Sequence, residues 1–326
     1  MINIAGLGIS GLYIYYRLKG SGFDVNAYEV KNKNFYLPCG FATNKNMINN
    51  YLKNINTNIN DYLLKDADSV IFAGNNFSAE TLNSNGLCTF DKNKLENDLI
   101  SDINYKNGVI NDDKNITIDA TGISRYYLKN VKNDDKFYTM EYLTDISDYN
   151  DFYFYFLPGG RGYFWSFPLK NKYHVGVGTK NIDDFKLLNK YKKLKLMSRN
   201  IRLKPLFDYM FNNNVIGTGE SIGTVSPVTG EGIIPSIKSS EILFNNLKKY
   251  DDINELKIHY QKDIKKEFGY YILLNNLINN IYNKNIINYN NIKSIKYVKK
   301  TVNDFGIKIN IMPFIKHFAN NKNIKN

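Results

Sequence analysis

Three glycines near the amino terminus have the spacing of a phosphate-binding turn. Gly6, Gly8 and Gly11 form a GxGxxG pattern, and Glu29 follows roughly twenty residues later. The first glycine permits a sharp turn, the second leaves room for a pyrophosphate, and the third lets a helix pack closely on a strand. An acid at the position of Glu29 accepts hydrogen bonds from adenosine ribose hydroxyls. The pattern therefore predicts a dinucleotide site.

The flanking sequence supplies the elements that must position these residues. Residues 2–5 predict a short buried strand, residues 12–19 a helix, and residues 24–30 a second strand that ends near the acid. The N-terminus of the helix would present free N–H groups and a partial positive charge to the phosphates. This order of elements distinguishes a dinucleotide site from an ordinary glycine-rich turn.

The chain does not continue with the alternating strands and helices that are typical of nicotinamide enzymes. A loop around Pro38-Cys39-Gly40 comes next, and a later strand at residues 116–118 ends in the small residues Ala120 and Gly122. Small residues at a strand end suit close approach of the backbone to a cofactor, although they also end many ordinary strands.

A third glycine-rich segment lies near the middle of the second half. Residues 215–216 predict a strand, Gly219-Glu220 a turn, and residues 233–243 a helix that begins just after Gly230 and Gly232. A glycine-rich helix start offers backbone donors to an electron-rich group. It would suit the O2/N1 edge of a flavin, where negative charge collects on reduction.

The only tryptophan lies in an aromatic run that alternates along a predicted strand. In the segment YFWSFP, Tyr163, Trp165 and Phe167 fall on one face, and the proline ends the strand. A partner strand follows, and its glycines, Gly176 and Gly178, would leave space above a flat ring or a chain. The pattern fits an aromatic wall beside an apolar slot, and it also fits the aromatic core of a half-buried sheet.

Composition limits the partners of the 326-residue chain. Its length favours two lobes or one discontinuous domain. The net charge of +12 comes almost wholly from lysine, because arginine occurs at only five positions. Nucleic-acid binders often use arginine forks, so a scattered lysine excess argues against a nucleic-acid partner. A lysine-rich face would attract anionic lipid headgroups, although much of the excess could equally be compositional drift.

Other features argue against a metal and against a membrane span. Cys39 and Cys88 lie far apart, and the three histidines lack ligand spacing, so we expect neither a metal site nor a disulfide. No apolar run approaches the roughly 20 residues that span a bilayer. A strand-like segment follows Met1 directly, so we expect no signal peptide. The expected location is cytoplasmic, with peripheral contact to the inner face of an anionic membrane as a further expectation.

In combination, these motifs resemble those of the FAD-dependent geranylgeranyl reductases. These archaeal enzymes saturate the isoprenoid chains of membrane lipids and share the flavoprotein fold of p-hydroxybenzoate hydroxylase. Their signature, YxWxFP followed by GxG after a short spacer, is complete between Tyr163 and Gly178. The segments PCG, DATG and SPVTGEGI also match family motifs in the same order. The similarity spans residues 2 to about 243.

The resemblance implies an α/β fold with a Rossmann-like FAD-binding domain of the p-hydroxybenzoate hydroxylase type. An inserted antiparallel β-sheet forms the substrate domain, and a short helical segment ends the chain. We expect the discontinuous FAD-binding domain at residues 1–126 and 214–250, the sheet at 127–213, and the C-terminal segment at 251–326. Apolar spacing predicts helices over residues 183–211 and 253–282.

The resemblance also implies particular site residues. Catalytic roles are expected for Cys39, Tyr163 and Trp165. Lys92 stands where an arginine is usual, and Gly219-Glu220 replaces a Gly-Asp pair at the ribityl chain, so a longer side chain must be accommodated. The implied substrate-binding residues are Tyr163, Trp165, Phe167, Gly176 and Gly178. The implied FAD-binding residues are Gly6, Gly8, Gly11, Glu29, Cys39, Gly40, Ala42, Lys92, Ala120, Gly122, Glu220, Gly230, Gly232 and Ile233.

The implied reaction is reduction of C=C bonds in an isoprenoid lipid. Positive charge developing on a tertiary carbon would be stabilised by the aromatic faces of Tyr163 and Trp165. Cys39 either delivers or orients the proton, or is a buried structural cysteine. An external electron donor, which could be NAD(P)H, a deazaflavin or ferredoxin, is expected because no second nucleotide fingerprint is visible. The alternatives are an aromatic hydroxylase, a quinone-linked dehydrogenase, or a non-catalytic flavin-bound lipid carrier.

Overall fold

The computed structural model describes residues 1–30, 39–75, 77–111, 114–132, 134, 136–283 and 289–309. Pro38, and residues 310–326 of the expected C-terminal segment, lie outside the described residues. The helices are α1 (Ile9–Gly20), α2 (Lys45–Leu52), α3 (Lys92–Ser101), α4 (Ile233–Leu247), α5 (Ile253–Phe268), α6 (Tyr270–Tyr282) and α7 (Tyr289–Asp304).

The strands belong to three sheets. In chain order they are β1 (Ile2–Ala5), β2 (Val25–Glu29), β3 (Ala42–Asn44), β4 (Leu63–Asp66), β5 (Ser69–Gly74), β6 (Phe77–Ser84), β7 (Leu87–Phe90), β8 (Lys106–Asn107), β9 (Ile116–Asp119), β10 (Lys136–Thr144), β11 (Phe152–Phe156), β12 (Gly162–Pro168), β13 (Tyr173–Thr179), β14 (Lys195–Arg202), β15 (Phe211–Asn212), β16 (Val215–Gly217) and β17 (Ile307–Lys308). A small sheet has the order β3-β7-β4.

The first sheet carries the predicted dinucleotide turn. Its order is β15-β16-β9-β1-β2-β8, and all neighbours except β15 and β16 are parallel. All four residues of β1 are buried, as is typical of a central parallel strand. The predicted strand–turn–helix–strand unit is confirmed as β1, α1 and β2. The carboxyl ends of β1, β9 and β16 meet at one edge, where open α/β sheets bind ligands.

The second sheet carries the aromatic strand near its centre. Its order is β14-β10-β13-β12-β11-β5-β6-β17, and every pair is antiparallel except β11 with β5. The predicted partner of β12 is confirmed as β13, and Pro168 ends β12 as expected. The domain boundaries stay a prediction. The second sheet takes β5 and β6 from residues 1–126 and β17 from residues 251–326.

The helix predicted over residues 183–211 is wrong. A short 3₁₀ helix covers Ile182–Leu188, and β14 follows at the edge of the second sheet. β14 pairs with β10 from Lys195 opposite Leu143 to Arg202 opposite Lys136. This long-range backbone pairing overrides the local helical periodicity, since strand formation depends on the neighbouring strand as much as on propensity.

The C-terminal segment is helical over residues 253–282, as predicted, but it forms two helices. α5 and α6 meet at Gly269, and α5, whose buried side chains include Leu256 and Ile264, packs against α4. α6 brings Ile278 and Ile281 to the main cavity described below. Across the described ranges, no helix combines the length and the apolar character needed to cross a membrane.

Candidate functional site

A cavity of about 860 Å³ lies between the residues that follow β1, β9 and β16 and one face of the second sheet. We call it the main cavity. The predicted site residues that line it are Gly8, Cys39, Gly40, Ala42, Lys92, Ala120, Gly122, Tyr163, Trp165, Phe167, Gly178, Glu220, Gly230, Gly232 and Ile233. Gly6, Gly11, Glu29 and Gly176 are not among its lining residues. The structure therefore brings together three glycine-rich segments and the aromatic strand.

The first glycine turn is packed so closely that side chains are excluded. Gly6 has a φ of +89°, and a Cβ there would lie 2.7 Å from the carbonyl oxygen of Ala120. A Cβ on Gly11 would lie 1.9 Å from the carbonyl oxygen of Gly6. Gly8 precedes α1, and no side chain caps that helix start. The backbone N–H groups at the start of α1 are thus left for an anionic ligand.

Glu29 is buried at the end of β2 and is held by backbone donors. The N–H of Leu7 donates to its Oε2 at 2.7 Å, and the N–H of Val30 donates to its Oε1 at 2.8 Å. These bonds connect the carboxylate to the glycine turn. Its role in ribose binding stays a prediction.

The start of α4 meets the aromatic strand at the main cavity. Gly230 has a φ of +66°, and a Cβ there would lie 2.9 Å from the Tyr163 hydroxyl oxygen. That hydroxyl donates to the carbonyl oxygen of Thr229. Gly232 precedes α4 without a side-chain cap. The N–H of Ile234 at this helix start is already bound by the carboxyl of Glu231, and the backbone donors expected here for a flavin edge stay a prediction.

Glu231, between those glycines, is a buried acid of the SPVTGEGI segment. Its Oε1 accepts hydrogen bonds from the N–H of Ile234 at 2.8 Å and from the hydroxyl of Thr43 at 3.3 Å. Burial raises its pKa from 4.5 to about 8. Glu231 therefore carries a proton at neutral pH.

We expect Glu231→Gln to stabilise the protein at pH 8 and to change its stability little at pH 5. Between pH 4.5 and 8 the folded state keeps a proton that the unfolded chain has lost, so the free energy of unfolding falls as pH rises. Glutamine removes this dependence and keeps an oxygen for both donors. Thermal unfolding at the two pH values should show a gain of a few degrees at pH 8 only. The exposed Glu255→Gln is the matched control, and an equal gain in both variants would contradict the prediction.

Glu220 is accommodated by two arginines that sequence analysis missed. Its Oε1 accepts the backbone N–H of Arg202 at 3.0 Å, and its Oε2 accepts the guanidinium of Arg199. Arg202 is buried and makes a bidentate pair with Asp134 at 2.9 and 2.7 Å. Both arginines belong to β14, in the region that was predicted to be helical. Arginine is rare in this lysine-rich chain, and this rarity is the feature of the sequence that could have identified both residues as functional.

Cys39 and Lys92 also line the main cavity, close enough to Arg199 for their charges to interact. Cys39 is half-buried, and desolvation raises the pKa of its thiol despite the nearby positive charge of Lys92. Lys92 begins α3 and forms a buried ion pair with Glu96 at 2.6 Å. Cys39 and Cys88 are both free thiols. Cys39 is therefore a neutral thiol that reaches the cavity.

The aromatic wall consists of Tyr163, Trp165 and Phe167 on one face of β12, which confirms the predicted alternation. The Trp165 ring centroid lies 5.8 Å from that of Tyr163 and 6.2 Å from that of Phe167. The expectation for Gly176 needs correction. A Cβ there would lie 2.2 Å from Cζ2 of Trp165, so the indole itself fills the space above this glycine. Gly178 does line the cavity.

The fold and the main cavity together define the fold class of the protein. A parallel sheet with a glycine turn, joined to an antiparallel sheet across one cavity, is the FAD-binding fold of the p-hydroxybenzoate hydroxylase type. The residues fit an FAD, because the uncapped start of α1 and glycines that exclude side chains leave backbone donors for a phosphate. The fold class predicted from the sequence is confirmed.

Comparisons with known proteins agree with this class. No family model matches the chain. An uncharacterized protein of Methanocaldococcus jannaschii is 28% identical, over 82% of this chain and 88% of the relative. A geranylgeranyl bacteriochlorophyll reductase-like protein from Thermoplasma acidophilum is similar with a TM-score of 0.70 and 17% identity, over 93% of this chain and 98% of that one. PqsL of Pseudomonas aeruginosa, a probable FAD-dependent monooxygenase, is similar with a TM-score of 0.67 and 12% identity, over 90% of this chain and 99% of that one.

Proposed function

We propose that the chain binds FAD in the main cavity and reduces C=C bonds of geranylgeranyl chains in membrane lipids. The observation that carries the proposal is that Tyr163, Trp165 and Phe167 line the same cavity as the glycine turns. The aromatic wall is thereby available to a substrate that must approach the flavin ring. Bound FAD would supply hydride-transfer chemistry. The similarity to a reductase-like protein supports the same substrate class.

An apolar section of the lining of the main cavity is suited to an isoprenoid chain. Its side chains are aliphatic or aromatic and come from β10, β11, β14, α6 and the residues directly after β11 and β14. A buried chain gains about 0.8 kcal/mol for each methylene removed from water. The residues of this apolar section are Phe137, Phe156, Leu157, Ile201, Leu203, Ile278 and Ile281.

The residues of this chain have separable roles in the proposed reaction. The faces of Tyr163 and Trp165 would stabilise positive charge on the substrate by ~0.5–2 kcal/mol each. Burial raises the pKa of the Tyr163 hydroxyl, and its bond to Thr229 fixes its direction, so it keeps its proton. Cys39 is the proposed proton donor, because its neutral thiol lines the cavity beside the wall.

The decisive experiment begins with the absorbance spectrum of the purified protein. A flavin spectrum is expected. Geranylgeranyl lipids incubated with the protein and dithionite should then gain two hydrogens for each bond reduced, as measured by mass spectrometry. A colourless preparation that takes up no added FAD would contradict the cofactor. A yellow protein that leaves the lipids unchanged would contradict only the substrate.

Truncating the wall should slow turnover without removing the cofactor. We expect Trp165→Ala to lower lipid reduction by about 2- to 30-fold through loss of the aromatic face, and Trp165→Phe to retain most of it. Cys39→Ala should lower the rate if the thiol delivers the proton. Flavin content is measured in parallel. Unchanged turnover in both alanine variants would remove these residues from the chemistry.

An aromatic hydroxylase is the second candidate, favoured by the similarity to PqsL. The two reactions differ in their products. Oxygen should be incorporated into an aromatic substrate in one case, and a lipid should gain hydrogens without oxygen in the other. For either reaction we propose an external electron donor, which could be NAD(P)H, a deazaflavin or ferredoxin. Peripheral contact with an anionic membrane is proposed for access to lipids.

A further inference from the structure

Glu141 lies in one row with Gly176 and Trp165 across three neighbouring strands. Glu141 of β10 is directly opposite Gly176 of β13, and Gly176 is directly opposite Trp165 of β12. Directly opposite residues share a face of the sheet. Because Gly176 has no side chain, the indole lies over it and its Nε1–H donates to Oε2 of Glu141 at 3.3 Å.

The same carboxyl oxygen also holds the turn that carries Cys39. The N–H of Gly40 donates to Oε2 of Glu141 at 2.6 Å. Gly40 has a φ of +60°, and a Cβ there would lie 2.9 Å from the ring of Phe167. The turn and the aromatic wall are thus packed together. Glu141 itself is fully buried and is not among the lining residues of the cavity.

The surroundings of Glu141 keep it neutral. Its Oε1 lies 3.5 Å from Nδ1 of His174, and both side chains are fully buried. Desolvation raises the pKa of Glu141 to about 8 and lowers that of His174 to about 3. The other titratable group facing Glu141 is the Cys39 thiol. Beyond it lie two cations, each paired with an acid: Lys92 with Glu96 and Arg199 with Glu220.

We propose that Glu141 is a positioning residue that fixes the Trp165 indole and the Cys39-Gly40 turn as one unit of the cavity wall. Its Oε2 accepts both N–H groups, so one oxygen atom ties the indole to the turn. The inference deepens the proposed function, because it names the residue that holds two candidate catalytic groups together. Its geometry does not depend on which reaction the cavity performs.

The indole N–H of the single tryptophan provides a direct test by ¹⁵N NMR of the full-length protein. Only one indole signal exists, so no assignment is needed. In the unchanged protein we expect this signal to be protected from hydrogen exchange and to shift with pH, with a midpoint near 8. Glu141→Gln keeps an acceptor oxygen, so protection should remain and the pH-dependent shift should vanish. Glu141→Leu should speed exchange by about tenfold.

Thr144→Val is the matched control, because it removes a buried polar group from the same strand without touching the indole. It should leave the indole signal in place. The proposal is overturned if the pH-dependent shift persists in Glu141→Gln, if exchange in Glu141→Leu equals that of the unchanged protein, or if Thr144→Val speeds exchange equally. Since none of these readouts uses turnover, a protein that passes them and leaves lipids unreduced refutes only the proposed function.

Discussion

We expect Gly11→Ala to weaken the proposed FAD binding by about 100-fold, whereas Gly20→Ala on the same helix should leave it unchanged. A Cβ on Gly11 would lie 1.9 Å from the carbonyl oxygen of Gly6 and 3.2 Å from Cβ of Ala120. Neither contact can relax by rotating a flexible side chain. The helix start must instead move away from β1 and β9, and its N–H groups then leave the phosphate position.

The comparison with Gly20 separates this steric effect from a general change in helix stability. A Cβ on Gly20 meets no atom within 4 Å, and alanine is a better helix former than glycine. Both variants should be purified in the same way, stripped of flavin and titrated with FAD by fluorescence. Equal dissociation constants in the two variants would show that the GxGxxG turn does not bind the phosphates. Thermal unfolding without flavin identifies any loss that comes from misfolding.

Local patterns in the sequence were sufficient to predict the unit of β1, α1 and β2 and the aromatic strand β12. In the first unit, a buried strand, a glycine turn and a helix follow one another within a few residues, so each step depends on its neighbours in the chain. The alternation in β12 is likewise a property of six consecutive residues. These elements had the predicted order and lie within one or a few residues of the predicted bounds.

The missed features depend on contacts between distant segments. β14 exists because β10 offers a partner, and nothing within residues 195–202 reports this pairing. Glu141 contacts Trp165 only because strand register places them on either side of Gly176. In the sequence alone, Gly176 cannot be distinguished from any other glycine of the motif. The carboxylate of Glu220 likewise needs Arg199 from a segment that resembled a helix. Strand register is therefore the information that one sequence did not provide here.

Strand register also places Arg199 where it pairs with the longer Glu220 at the main cavity. Arg199 is directly opposite Thr139, which is directly opposite Gly178, and Gly178 is directly opposite Tyr163. All four line the main cavity. This row lies beside the row of Glu141, Gly176 and Trp165. The two glycines of the GxG motif therefore differ. Gly178 lines the open cavity, whereas the space above Gly176 is filled by the Trp165 indole.

Gly176→Ala is consequently expected to be far more damaging than Gly178→Ala, although the two sites lie on one strand and one face. A Cβ on Gly176 would lie 2.2 and 2.4 Å from Cζ2 and Cε2 of Trp165, so the indole must leave its position and its bond to Glu141. A Cβ on Gly178 would meet Trp165 and Thr139 at ordinary distances of 3.6 and 3.7 Å. Overpacking of this kind costs about 1–3 kcal/mol.

We therefore expect Gly176→Ala to shift the single indole resonance, to lower the thermal midpoint and to reduce lipid turnover by about tenfold to 100-fold. Gly178→Ala should leave the resonance in place. Trp165→Phe removes the overlapping atoms, so adding it to Gly176→Ala should recover part of the lost stability, a non-additivity that only direct contact produces. Strict additivity of the two substitutions, or an unshifted indole in Gly176→Ala, would contradict the contact on which the arrangement of the wall depends.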